Sequence, residues 1–165
     1  MSTYVKTIFI LGVVAWLSCC NMGKKDNAEY CDDMMHVTLF ASLRDSFMSD
    51  PYAGIDILKK MRENTNDSIS SYSMLIQIAN CYRWAGKIDS AIMTLQKALD
   101  FCERAESSPC LPQLQAEACF RYGHRLSGIE EYDSAIVHLK KGDDAMMKSE
   151  NLNRLPNVYT ALAYS

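Results

Sequence analysis

Two stretches of this chain repeat each other and decide its fold: GKIDSAIMTLQKALD at residues 86–100 and EEYDSAIVHLKKGDD at residues 130–144. They are identical at seven of fifteen positions, far more than unrelated sequences share, and they lie 44 residues apart. We infer an internal duplication, which is the signature of a repeat architecture. The identical pairs are Asp89 and Asp133, Ser90 and Ser134, Ala91 and Ala135, Ile92 and Ile136, Leu95 and Leu139, Lys97 and Lys141, and Asp100 and Asp144.

The apolar residues around the first copy recur every three or four positions, which predicts two amphipathic helices. Gly86 separates the helices, where a tight turn needs a residue without a Cβ atom. Ala79 and Ala91 are small, as the close approach of two helices requires. The first helix would carry Tyr72, Leu75, Ile78, Ala79 and Tyr82, and the second Ile88, Ala91, Ile92, Leu95, Ala98, Leu99 and Cys102.

The first copy resembles a tetratricopeptide repeat. The residues that carry this resemblance are Ala79, Tyr82, Gly86, Asp89, Ala91, Ile92, Leu95, Ala98 and Leu99. The resemblance implies an all-α fold of stacked antiparallel helix hairpins, an α-solenoid in which each hairpin covers the apolar face of its neighbour.

The second copy keeps the small residue Gly123 and the sequence Tyr132-Asp133-x-Ala135-Ile136. It departs from the family pattern at three positions: Leu126 replaces an aromatic residue, Glu130 the turn glycine and Gly142 a packing alanine. We expect these departures to make the second hairpin looser. The period of 44 exceeds the usual 34, and we expect longer helices and the loop ESSPCLP at 106–112 to absorb the difference.

A third, more degenerate hairpin is predicted upstream. Its first helix would carry Leu39, Phe40, Leu43 and Phe47, and its second Ile55, Leu58 and Met61. Ser49-Asp50-Pro51 marks the start of the second helix, and residues 64–71 are predicted as a loop. The domain would cover residues 32–165, with its best repeats at 72–105 and 114–148. A terminal helix would run from Asn157 to Tyr164, giving about three hairpins plus one helix.

Residues 1–20 have the pattern of a signal peptide: Lys6 precedes an apolar run from Ile8 to Leu17 that is too short to span a bilayer. Leu17-Ser18-Cys19-Cys20 resembles a bacterial lipobox, which implies lipidation at Cys20, or alternatively at Cys19. A plain secretory signal is the other reading. Residues 21–31 are predicted as a polar tether to the fold.

Composition excludes several functional classes. The net charge of −3 and the lack of a basic cluster argue against nucleic-acid binding. No GxSxG, Walker, GxGxxG or HExxH motif occurs, so neither an enzyme nor a cofactor is predicted. The three histidines, His36, His124 and His138, are spread over three predicted hairpins without nearby cysteine ligands, so no metal site is expected.

Five cysteines follow the lipobox: Cys31, Cys81, Cys102, Cys110 and Cys119. None has CxxC spacing. Cys81, Cys102 and Cys119 fall within predicted helices, where free cysteine packs as a small apolar residue. A disulfide between Cys102 and Cys110 across the inserted loop is the alternative, because an exported protein meets an oxidising compartment.

The resemblance also implies a binding surface, because the first helix of each hairpin lines the concave face in this family. The positions so implied are Ser73, Ile76, Asn80, Arg83 and Trp84 in one repeat and Glu117, Phe120, Arg121 and His124 in the next. Asn80 matches a residue of the family's carboxylate clamp, but Ile76 replaces the clamp lysine. Trp84 either grips a partner or caps its own hairpin.

Together these patterns predict a lipid-anchored module that faces the periplasm and binds a protein or peptide of the cell envelope. Two alternatives stay open. The stretch from Asp45 to Pro51, followed by Ile55 and Leu58, resembles the opening of periplasmic sensor regions of Gram-negative regulators, so the chain would be a truncated sensor. A glycan-binding outer-membrane lipoprotein is a further possibility. An uncovered apolar face on the last helix would favour self-association.

Overall fold

The computed structural model describes residues 27–149, and this part of the chain contains seven helices and no strand. The signal peptide, both candidate lipidation cysteines and the predicted helix at 157–164 lie outside the described residues. The helices are α1 (Asn27–Met34), α2 (Val37–Ser49), α3 (Pro51–Glu63), α4 (Ser68–Trp84), α5 (Ile88–Arg104), α6 (Leu111–Ser127) and α7 (Tyr132–Lys148).

Helices α2 to α7 form three stacked hairpins, which confirms the predicted all-helical architecture. In each hairpin the two helices pack on each other, and the second helix also contacts the first helix of the next hairpin. The first helices α2, α4 and α6 touch in sequence as well. They therefore share one surface, which we call the inner face. No helix within residues 27–149 combines the length and the hydrophobicity needed to cross a membrane.

Local sequence sets the helix starts. Asp50 caps α3 by accepting a hydrogen bond from the amide of Ala53 at 3.0 Å, and Pro51 occupies the first turn, as predicted. Asp67 caps α4 in the same way, through the amide of Ser70 at 2.6 Å. The predicted loop 64–71 is therefore too long at its C-terminal end, because this cap starts α4 at Ser68.

The two repeated hairpins turn in the same way. Gly86 has a φ of 71°, and the amide of Lys87 donates to the carbonyl of Tyr82 at 2.8 Å, as in a Schellman motif. Glu130, at the equivalent position, adopts a φ of 66°. The amide of its neighbour Glu131 donates to the carbonyl of Leu126 at 3.0 Å.

The second hairpin is not looser, contrary to expectation. A Cβ atom on Gly123 would lie 2.9 Å from Cγ of Leu139, and one on Gly142 would lie 2.8 Å from Cε1 of Phe120. Both glycines thus let α6 and α7 approach more closely than alanine would allow. The space left by the absent Cβ atoms is filled by the side chains of Leu139 and Phe120.

Repeat alanines and cysteines lie in the core. Ala91 and Ala135 are both buried, as is expected of small residues at helix contacts. Cys81, Cys102 and Cys119 are free and buried, which confirms their predicted packing role. Burial raises the pKa of Cys81 and Cys119 to about 11 and that of Cys102 to about 12. These thiols are therefore protonated at neutral pH.

One prediction near the N-terminus is wrong, and the alternative disulfide is not formed. Residues 27–31 of the predicted tether belong to α1, and Cys31 is buried. Cys110 pairs with Cys31, 79 residues away, and not with Cys102. The physical reason is that Cys110 lies at the start of α6, where α1 brings Cys31 beside it, whereas Cys102 lies near the C-terminal end of α5.

Candidate functional site

Helix α1 covers the beginning of the inner face. The hydroxyl of Ser70 donates to the carbonyl of Met34 at 2.7 Å, and that of Ser73 donates to the carbonyl of Met35 at 2.8 Å. At α6, Gln113 Nε2 donates to Asp32 Oδ1 at 2.7 Å, beside the disulfide. The first turns of α4 and α6 are thus closed off, and we call this part the covered half of the inner face.

The later turns of the same helices form what we call the open half. Its side chains are at least partly accessible, except for Asn80, which is buried within a hydrogen-bonded group. The open half consists of Arg44 on α2, Gln77, Asn80, Arg83 and Trp84 on α4, and Glu117, Arg121, His124 and Arg125 on α6.

Three predicted binding residues do not line an accessible surface. Ser73 is buried beneath α1, and Ile76 is fully buried in the core. Phe120 packs in a separate cluster with Ala116, Ala145 and Met146, because its ring fills the space that Gly142 leaves. The predicted binding role of these three residues is therefore wrong.

Three other predicted residues do come together, with one that the sequence did not single out. Asn80 Nδ2 donates to Gln77 Oε1 at 2.8 Å, and Gln77 Nε2 donates to Glu117 Oε1 at 3.3 Å. Arg121 closes the ring, donating from Nη1 to Asn80 Oδ1 at 3.0 Å and from Nη2 to Glu117 Oε1 at 2.7 Å. We call these four residues the polar ring. It joins α4 to α6 and fixes their register.

Trp84 ends α4 and is half-buried against the core. Its indole Nε1 is buried and has no hydrogen-bond partner among the described residues. The guanidinium of Arg83 lies 5.2 Å from the centre of the indole ring, within cation–π range. Trp84 therefore packs against the core of its hairpin and also contacts the guanidinium of Arg83.

Positive charge accumulates on the open half. Burial lowers the pKa of Arg83, and the charges of Arg121 and Arg44 lower it further. Burial also lowers the pKa of Arg125 to about 10, helped by Arg83 and Arg121. Sequence reasoning missed Arg44 and Arg125. The available signal was the four-residue spacing of Arg121 and Arg125 on a first helix.

The arrangement is suited to binding. The buried thiols have raised pKa values, and no group of three metal-binding side chains occurs within residues 27–149. The open half instead offers planar guanidinium groups and amides, which recognise oxygen acceptors. His124 lies on the same helix, half-buried, between Arg121 and Arg125 in sequence.

The chain was compared with protein-family models, curated proteins and solved structures, and it matches none of them.

Proposed function

We propose that this chain is a lipid-anchored interaction module of the cell envelope, related to tetratricopeptide proteins, that holds a segment of a partner protein on the open half of its inner face. The observation that supports this most is the polar ring, in which the buried amide of Asn80 helps to hold the partly exposed side chains of Glu117 and Arg121 in place across two hairpins. Preorganised polar groups reduce the entropy lost on binding.

The closure of the covered half supports the same proposal. Helix α1 satisfies the hydroxyls of Ser70 and Ser73, so that half has fewer polar groups left for a partner. The open half has its polar groups on the accessible ends of α4 and α6. A partner segment would therefore run across these later turns, from Arg44 towards Arg125.

The proposed anchor is close to the fold in sequence. Six residues separate Cys20 from the start of α1 at Asn27. Seven extended peptide units reach at most about 25 Å. A lipidated Cys20 would therefore keep the domain, and with it the inner face, near the membrane surface.

Photocrosslinking in intact envelopes tests the partner proposal. A photoreactive amino acid is placed at His124 on the open half, and at Met93 as a control, which is exposed on α5. We expect a discrete protein adduct from the His124 position and none from the Met93 position. Equal adducts from both positions, or none from either, would contradict the proposed binding face.

Metabolic labelling with a palmitate analogue tests the anchor. The wild-type chain should incorporate label, and Cys20→Ala should not. Label that persists in Cys20→Ala but is lost in Cys19→Ala would move the modification by one residue. A chain without label would remove the anchor from the proposal and leave the binding face unaffected.

A further inference from the structure

The open half of the inner face gathers arginines from three helices. Arg44 lies on α2, Arg83 on α4, and Arg121 and Arg125 on α6. The hydrogen bond from Arg121 to Asn80, at 3.0 Å, sets α4 and α6 side by side at this level. One turn further along both helices, a rise of about 5.4 Å, come Arg83 and Arg125. Arg83, Arg121 and Arg125 are thus neighbours through the packing of α4 on α6, and the charge of Arg44 acts on Arg83 from α2.

This positive charge is only partly neutralised. Glu117 is the carboxylate of the polar ring, and its Oε1 already accepts hydrogen bonds from Gln77 and Arg121. Arg83 and Arg125 donate no hydrogen bond and form no ion pair among the described residues. Their pKa values are lowered by burial and by neighbouring arginines. Half-buried like charges destabilise a fold, so their convergence calls for a counter-charge.

Arg83 is also prepared geometrically for such a counter-charge. Its guanidinium stacks at 5.2 Å on the Trp84 ring. Stacking restrains the side chain, and its N–H groups donate no hydrogen bond within residues 27–149, so they can pair with the two oxygens of a carboxylate.

We propose that the open half binds an acidic segment of the partner protein, whose side-chain carboxylates pair with Arg83 and Arg125. This inference rests on the proposed function and narrows it to a partner of stated charge. A short segment fits better than a long polyanion, because the chain as a whole has a net charge of −3. Nucleic acid or an anionic bilayer would meet that negative surface outside the arginine cluster.

Fluorescence anisotropy with a defined probe tests the inference. The probe is a labelled peptide of alternating Glu and Ala, amidated at its C-terminus so that only side-chain carboxylates are available. A peptide with Gln in place of Glu is the matched control. The protein is the full chain in neutral detergent micelles. We expect the Glu peptide to bind, the Gln peptide not to bind, and raised salt to weaken binding.

The variants Arg83→Gln and Arg125→Gln should each weaken binding about tenfold, the size of one charge-assisted hydrogen bond. Arg104→Gln is the matched control, because Arg104 is exposed on α5 and its substitution removes the same charge away from the open half. It should bind as the wild type does. Arg83→Lys and Arg125→Lys keep the charge but lose the paired N–H groups of the guanidinium. They should therefore weaken binding less than the Gln variants do. Circular dichroism confirms that each variant is folded.

Several results would overturn the inference: equal binding of the Glu and Gln peptides, equal losses in Arg104→Gln, or much stronger displacement of the peptide by inorganic phosphate than by chloride at the same ionic strength. The last result would assign the cluster to phosphate. If His124 crosslinks to a partner that Arg83→Gln and Arg125→Gln still capture, the inference fails while the proposed function stands. If the peptide binds as expected but no partner crosslinks, the proposed function fails.

Discussion

Hairpins α4–α5 and α6–α7 carry the same sequence pattern but fill one equivalent helix contact with different side chains. In the first hairpin, Ile76 and Ala98 are both fully buried. At the equivalent positions in the second, Phe120 faces Gly142, and a Cβ on that glycine would lie 2.8 Å from the ring. The larger side chain takes the volume of the missing methyl. The two hairpins therefore differ in residue type at these two positions but keep nearly the same summed side-chain volume.

The hairpins also differ in what covers them. Ile92 on α5 is half-buried because α6 packs beside it. The equivalent Ile136 on α7 is 50% exposed, and Tyr132 is 58% exposed. Within the described residues no helix follows α7. This apolar face agrees with the general expectation of self-association, which stays a prediction.

Charge burial at the repeated alanines gives the largest expected effect. Ala91→Glu and Ala135→Glu each bury an unpaired carboxylate at a helix contact and should cost about 3–5 kcal/mol. That is a large share of a typical stability of about 5–15 kcal/mol, so both variants should largely unfold. Urea unfolding followed by circular dichroism measures this.

Ser134→Glu is the control for that pair, because Ser134 is exposed beside Ala135. It should leave the unfolding midpoint nearly unchanged. If Ala135→Glu proved as mild as Ser134→Glu while Ala91→Glu unfolded the domain, the two hairpins would not be equivalent.

The link to α1 distinguishes the hairpins as well. Helix α4 is tied to α1 by hydrogen bonds from Ser70 and Ser73, whereas α6 is tied by the disulfide between Cys31 and Cys110. Replacing both cysteines by serine should lower the free energy of unfolding by about 4 kcal/mol, because the disulfide joins residues 79 positions apart and so restricts the unfolded chain. In urea titrations, reductant should lower the free energy of unfolding of the wild type by the same amount. It should leave that of the double variant unchanged.

The volume exchange between the hairpins can be tested by a double-mutant cycle. Gly142→Ala crowds the ring of Phe120 and should cost about 1 kcal/mol, since overpacking outweighs the gain in helix propensity. Phe120→Ile leaves a cavity and should cost about 2 kcal/mol. Together they restore the residue types that the first hairpin has at the equivalent positions, Ile76 and Ala98.

The double variant should therefore be more stable than the sum of the two single losses predicts, by about 1–2 kcal/mol. Denaturant titration of all four proteins measures this coupling. Strict additivity would show that the two residues do not share one packing site.

The turn position gives the smallest expected effect. Glu130 holds a left-handed conformation that costs a residue with a Cβ atom about 1 kcal/mol. Glu130→Gly should therefore stabilise the domain by about that amount. Gly86→Ala should destabilise it similarly, through backbone strain alone, because nothing lies within 4 Å of the added Cβ. In thermal melts, a raised midpoint for Glu130→Gly and a lowered one for Gly86→Ala would confirm that the two turn positions are equivalent. Midpoints that shift in the same direction would contradict this.

Much of the fold could be predicted because periodicity reports local structure directly. The repeat of Ala91 at Ala135 and the caps at Asp50 and Gly86 depend on residues close in sequence. The disulfide could not be predicted, because Cys31 and Cys110 meet only after three hairpins have stacked. Cys102, considered as an alternative partner, is nearer to Cys110 in sequence but is free and buried.

The site was predicted in part for the same reason. The sequence resemblance predicted Asn80, Glu117 and Arg121 on the inner face, and these residues form most of the polar ring. The resemblance also placed Ile76 and Phe120 there, since a position pattern does not show how volume is exchanged between neighbours. The arginine cluster depends on side chains from three helices, and no single stretch of sequence contains it.

The position of α1 decides which half of the inner face stays open, and disulfide mapping tests it most directly. The native chain is alkylated, digested without reduction and analysed by mass spectrometry. For the five cysteines within residues 27–149, the structure predicts one linked pair of peptides, containing Cys31 and Cys110, with Cys81, Cys102 and Cys119 alkylated only after denaturation. A peptide linking Cys102 to Cys110, or a freely alkylated Cys31, would place α1 elsewhere and contradict the division into a covered and an open half.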